Sequence, residues 1–104
     1  MKAIIPLDNE LPSYDMDIDL LGIQYNLSIS WNVRGEFWHF ILSDATGLKI
    51  ASGVGQTNYP LFANNTDDKF PKGLFWLVDT TDKNQDITRD NFGTEIILIF
   101  TDED

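Results

Sequence analysis

Asp15, Asp17 and Asp19 alternate with Met16 and Ile18 in the stretch DMDID. Carboxylates this close in sequence could hold a cation, run acid–base chemistry or wet one face of a strand. Geometry separates the readings. On an extended strand, consecutive aspartates of one face stand about 6.6 Å apart and the outer pair about 13 Å, whereas calcium needs its oxygens at roughly 2.3–2.6 Å. The EF-hand loop pattern fails as well, because Leu20 stands where glycine is required and Asn26 where a bidentate glutamate is required. Repulsion between neighbours in the row is about 0.6 kcal/mol in water and far larger in a dry interior. The row therefore predicts an amphipathic strand whose acidic face is solvated or meets positive charge on a partner, and it discourages edge-to-edge pairing. Asp15, Asp17 and Asp19 are candidate interface residues; no metal and no cofactor are expected.

His39 is the single histidine, and Ser28, Ser30 and Ser43 could approach it across a hairpin. Serine with histidine is a common coincidence, and neither a GxSxG elbow nor a local cue for an oxyanion hole accompanies them, so a hydrolase triad is not predicted. Carboxylates are abundant enough to supply a glycosidase pair on any fold and discriminate nothing. Trp31, Trp38 and Trp76 could stack on sugars, which makes a small β-sandwich carbohydrate-binding module the alternative function. All three lie in apolar strands, however, where a core position is the simpler reading. Tyr59 and Phe62, in an irregular stretch, are better candidates for exposed aromatic anchors at an interface. GVG at 53–55 lacks the following helix of a phosphate loop, and NLS and NNT are incidental sequons without an export signal.

The totals narrow the class further. A chain of 104 residues suits one domain with one core. Without cysteine it has no disulfide, thiolate metal site or cysteine nucleophile. A net charge of -10 with only seven Lys and Arg argues against nucleic acid and anionic membranes as partners. The opening MKAIIPLDNEL is too short in apolar residues for a secretory signal, and IILIF (96–100) is far short of a membrane span, so a soluble protein made without a signal peptide is expected.

Period-two alternation, the mark of a half-buried strand, recurs through the first half of the chain. Tyr14, Met16, Ile18 and Leu20 face opposite the aspartates in 13–21. In 23–31, Ile23, Tyr25, Leu27, Ile29 and Trp31 face one way and Gln24, Asn26, Ser28 and Ser30 the other. Gly22 marks the turn between them. NVRG (32–35) and DATG (44–47) then punctuate a meander through EFWHFILSD and LKIASGV, and both suit a type I turn followed by a left-handed glycine bulge. A bulge at Gly35 would set Phe37, His39 and Ile41 beside Trp31, Ile29 and Leu27; a two-residue turn would set Trp38, Phe40 and Leu42 there. Apolar residues on both faces predict that this strand is central and covered twice. Residues 55–72 read as a surface loop, strands resume at 73–80, break over 81–93, and close with TEIILIFT (94–101). The expected fold is all-β: a single antiparallel β-sandwich or partly closed barrel of seven or eight strands spanning 1–104.

Taken in order, IIPLDN (4–9), YNLSISWNVRGEFWHFILSDATGLKIASGV (25–54), GLFWLVDT (73–80) and RDNFGTEIILIF (89–100) resemble the baseplate plug proteins of contractile-tailed phages. That family shares an opening PLD, a strand, a tryptophan-bearing second strand, a D-x-x-G turn, and a D-N/D-F/L-G-T segment before the last strand. The resemblance implies a non-enzymatic structural subunit of the virion tail baseplate, made in the host cytoplasm and present in several copies. Its partners would be tube, hub or spike proteins, with no nucleic acid and no membrane. It also implies that Trp38 is a strand residue, that Asp44 and Gly47 form a turn, and that Asn91 and Gly93 form a turn before the final strand. Residues 55–72 do not follow the family pattern, and the DMDID row is more acidic than that pattern suggests.

Overall fold

The computed structural model describes residues 2–8, 10–57, 60–62, 71, 73–81, 83 and 85–101. Among the described residues eight strands form two antiparallel sheets of four, a sandwich and not a closed barrel, and there is no helix. The strands are β1 (Lys2–Ile5), β2 (Ser13–Leu20), β3 (Ile23–Asn32), β4 (Phe37–Asp44), β5 (Lys49–Val54), β6 (Pro60–Leu61), β7 (Leu74–Asp79) and β8 (Ile96–Thr101). The first sheet is the meander β2-β3-β4-β5, and the second runs β1-β8-β7-β6.

Local chemistry explains each turn of the meander. Leu20 pairs with Ile23, so Leu21 and Gly22 form a two-residue connection, and both have positive φ (55° and 81°). Such a turn matches the right-handed twist of its strands but suits Asn or Gly at both positions. Leu21 is 40% exposed and has little packing to offset a left-handed backbone that disfavours a side chain by about 1–2 kcal/mol. Leu21→Asn is expected to raise stability by about 0.5–1 kcal/mol. An unchanged or lowered urea midpoint would refute the strain at this position.

At the second turn the open register is settled. Trp31 pairs with Trp38, Ile29 with Phe40 and Leu27 with Leu42, the arrangement expected of a two-residue turn. The connection itself has four residues, 33–36, which preserves the same parity. Its left-handed position falls on Glu36 (φ 55°) and not on Gly35, correcting the glycine-bulge expectation here. Glu36 N donates to Asn32 O and Gly35 N to the Asn32 side-chain oxygen, so Asn32 closes the loop. DATG behaves as expected: Gly47 has φ 92°, its N–H donates to Asp44 O, and Asp44 N donates to Leu48 O. Asp44 Oδ1 accepts from Thr46 N, Thr46 Oγ1 and Leu48 N.

The meander's inward rows cross all four strands. Met16, Leu27, Leu42 and Ala51 lie side by side, as do Tyr14, Ile29, Phe40 and Gly53. Opposite them the second sheet presents Ala3, Phe100, Phe75 and Leu61 in one row and Ile5, Leu98 and Leu77 in the next. Leu27, Phe40, Leu42, Phe75, Leu77, Leu98 and Phe100 are all fully buried. Each such side chain stabilises the fold by about 1.5–3 kcal/mol relative to exposure. β4 is central, as expected, but its second face is only partly covered: Phe37, His39 and Ile41 are half-buried.

Two strands escape the sequence pattern. β1 pairs along β8, and β6, two residues long, pairs with β7 inside the stretch expected to be a surface loop. Leu61 and Phe62 are buried there, at 3% and 7% exposure. The expectation that Phe62 stands exposed is thus corrected. Its ring meets Phe75 edge-on at 5.6 Å, and its backbone has an unusual φ of 64°.

Candidate functional site

Two regions gather the residues singled out by sequence: the acidic face of β2 and a corner where the chain's start meets the segment before β8. On β2, Asp15, Asp17 and Asp19 are exposed, with Met16 and Ile18 turned toward the core. Their cross-strand neighbours on β3 are Ser28, Asn26 and Gln24. Asn26 Nδ2 donates to Asp15 Oδ2 (3.4 Å) and Asp17 Oδ1 (3.2 Å), a shared donor between two like charges. Among the described residues no three His, Cys, Asp or Glu side chains converge as a metal site. Tyr59 lies outside the described residues.

His39 sits half-buried on the same outer face and pairs across the ladder with Ser30. No hydrogen bond joins it to Ser28, Ser30 or Ser43 among the described interactions. Two of the tryptophans are cross-strand neighbours and the third stands on the other sheet. Trp38 is fully buried, Trp31 packs beside it at 5.2 Å, and Trp76 is half-buried on the outer face of the second sheet. They do not form a shared platform for a sugar ring.

The corner is built around Trp38, at the start of β4. Phe92, fully buried, stacks on it with ring centroids 4.0 Å apart and planes 14° apart. The indole N–H donates to Thr88 O, and the Arg89 guanidinium lies 5.8 Å over the ring. Asn91 orders the backbone around these contacts. Its side-chain oxygen accepts from Thr88 N, its Nδ2 donates to Asp86 O, and its carbonyl accepts from Thr94, Glu95 and Ile96 N–H groups. Gly93 follows with φ 81°, and a Cβ there would lie 2.7 Å from Leu7 O. Across the same seam Tyr14 Oη accepts from Asp8 N, and Arg89 donates to Glu10 O. Partial burial pushes the Tyr14 phenol up. Sequence reasoning named Trp38, Asn91 and Gly93 but did not bring them together with the PLD segment.

A second polar centre closes β7. Asp79, 7% exposed, accepts from Thr81 Oγ1 (2.6 Å), Thr81 N (2.8 Å), Gln85 N (2.8 Å) and Gln85 Nε2 (3.5 Å). The Thr81 hydroxyl first, then the Gln85 N–H, lower its carboxyl from an ordinary 3.8 to about 2, against partial desolvation, which raises it. Because the folded value is depressed, this stabilisation is complete above about pH 4 and is lost as pH falls toward 2. Asp79→Asn is expected to lower stability at pH 7 and to flatten the acid limb between pH 4 and 2. Parallel pH profiles for the two proteins would refute that role. The arrangement repeats Asp44 and Thr46 at the end of β4: a strand-closing aspartate bonded to a threonine two residues on.

Taken together, these regions define an all-β sandwich whose polar and aromatic groups build turns and a packed corner. The chain matches the family described as cyanophage baseplate Pam3 plug gp18 over residues 1–103, and it belongs to that family. A search of curated proteins finds no match. The resemblance drawn from PLD, the tryptophan strand, D-x-x-G and DNFGT is borne out, and with it a structural role in the baseplate.

Proposed function

We propose that this chain is a non-enzymatic subunit that plugs or bridges the tube and hub region of a contractile-tail baseplate through protein–protein contacts. The observation that carries this reading is the family match, which spans nearly the whole chain. The packed corner supports it, since two of the family's motifs meet there as a rigid joint and not as a reactive cleft. Residues 1–104 act as one domain, made in the host cytoplasm and inserted in several copies next to tube, hub or spike proteins. Asp15, Asp17 and Asp19 form an electrostatic face toward basic partner surfaces or keep the free subunit soluble, and Tyr59 is an anchor candidate.

The test is composition and loss. Mass spectrometry of purified tails should find the protein at a fixed stoichiometry, and tails assembled without it should be defective. Complete, infective tails lacking the protein would sink the proposal. The carbohydrate alternative needs two exposed aromatic rings on one platform, and the described tryptophans are not so placed.

A further inference from the structure

The outer surfaces of the two sheets differ in kind. On the first sheet the outward positions of β2 and β3 are polar, with Asp15 beside Ser28, Asp17 beside Asn26 and Ser43, and Asp19 beside Gln24, while β4 and β5 add Phe37, Ile41 and Val54 among His39, Ser43 and Ser52. On the second sheet Ile4, Ile99, Trp76 and Pro60 form a single row across all four strands, with Ile97 and Val78 paired next to it. Ile4 is 66% exposed, and Leu74, on the same outward side of β7, is 46% exposed. An antiparallel sheet that packs one face into a core ordinarily carries polar residues on the other, and strands apolar on both faces are ordinarily covered twice. β8 is apolar on both faces: Ile96, Leu98 and Phe100 point inward, Ile97 and Ile99 outward.

We propose that this outer face of the second sheet docks against an uncharged, apolar surface of a neighbouring tail protein, an inference that rests on the baseplate reading above. Size and charge choose this occupant. At strand spacing and rise, the residues of β1, β8, β7 and β6 cover a footprint on the order of 300 Å2. A stable two-protein complex uses about 800 Å2 per partner. The face is therefore too small to hold two copies together on its own, and a second copy would add its own -10 charge. It suits one of several contacts made at once inside an assembly, where tethering by the others raises its effective concentration. The rows Ile4–Ile99–Trp76–Pro60 and Ile97–Val78 contain no charge, the neighbouring row Lys2–Thr101–Leu74 carrying one at its β1 end, so a charged partner group set against the two apolar rows would lose its water without a counter-charge. That requirement makes the docked surface apolar.

The test introduces charge on this face and, as a control, equally on the other sheet. Ile4→Lys/Leu74→Lys alters the proposed face; Ile23→Lys/Leu48→Lys alters two residues 56% exposed at the hairpin end of the first sheet, with the same change in net charge. Each variant is supplied to a phage lacking the gene, and purified tails are assayed by mass spectrometry. The first pair should reduce incorporation by about tenfold or more while the control stays within about twofold of the parent. Circular dichroism and thermal melts check folding, with Ile4→Lys alone, on an edge strand, as a milder variant expected to act in the same direction. Normal incorporation of the folded variants would overturn the proposal. So would a stable wild-type dimer in ultracentrifugation that Ile4→Lys/Leu74→Lys dissolves, since the occupant would then be a second copy. Absence of the wild-type protein from tails is a different result and would remove the baseplate reading itself.

Discussion

Phe92→Ala is expected to lower the unfolding free energy by about 3–5 kcal/mol, the range for removing a buried aromatic ring from a core that cannot collapse around the gap. The gap would be hard to close here. Phe92 is fully buried, lies flat on Trp38 at 4.0 Å and meets the fully buried Phe40 at 6.0 Å. Hydrogen bonds from the Asn91 side chain to one side and its carbonyl to the other anchor the segment. A domain of this size commonly has about 5–15 kcal/mol in total, so the variant would be marginal at 37 °C. Phe92→Leu, which keeps much of the volume, should lose about 1–2 kcal/mol. A double-mutant cycle with Trp38→Leu should return a coupling of about 0.5–1.5 kcal/mol for the stacked pair. Urea melts followed by tryptophan fluorescence measure all of these, and a loss under about 1 kcal/mol for Phe92→Ala would contradict the corner described above.

Gly93→Ala should be nearly as damaging, at about 2–4 kcal/mol, from two additive causes. A left-handed backbone disfavours any Cβ by about 1–2 kcal/mol. In addition, a Cβ at 93 would press on Leu7, 2.7 Å from its carbonyl oxygen and 3.1 Å from its carbonyl carbon, and backbone cannot swing aside as a side chain can. Gly47 supplies the internal comparison. It has φ 92° but nothing within 4 Å of a Cβ, so Gly47→Ala should lose only the backbone contribution, about 1–2 kcal/mol. The difference between the two variants measures how tightly the PLD segment is clamped against DNFGT. Equal losses would mean that the clamp contributes nothing.

These two predictions concern the same corner and give the family's motifs a physical meaning. PLD and DNFGT are far apart in sequence yet meet at Leu7 and Gly93, and the next residue back, Phe92, stacks on Trp38. A rigid joint between the first strand and the last turn keeps β1 on β8, and that places Ile4 at the end of the apolar row proposed to dock a neighbour.

Much of the fold was legible from alternation in the first half of the chain and from turn residues and apolar runs elsewhere. β2, β3, β4, β5, β7 and β8 appear within a residue or two of where the sequence puts them, and Gly22 and Gly47 carry the positive φ that glycine suits. β1 and β6 were not legible, because four and two residues are too few to display a period. Phe62 was misjudged because it stands among Asn, Asp and Pro, and composition says nothing about a chain that folds back along β7. The register at 32–36 stayed open for a related reason: β4 is apolar on both faces, so either parity would have buried something.

By itself, then, the sequence determined which segments extend, which side of each strand is wet, and, through DMDID, that the acidic row lies on a solvated face. Those are local properties, set by a backbone whose side chains alternate every residue. Only the tertiary structure decided that Phe92 completes the Trp38 stack, that Gly93 must leave room for Leu7, and that the outer face of the second sheet remains apolar. Each of these depends on which distant strands lie side by side, and pairing between remote segments leaves no periodic trace in either one.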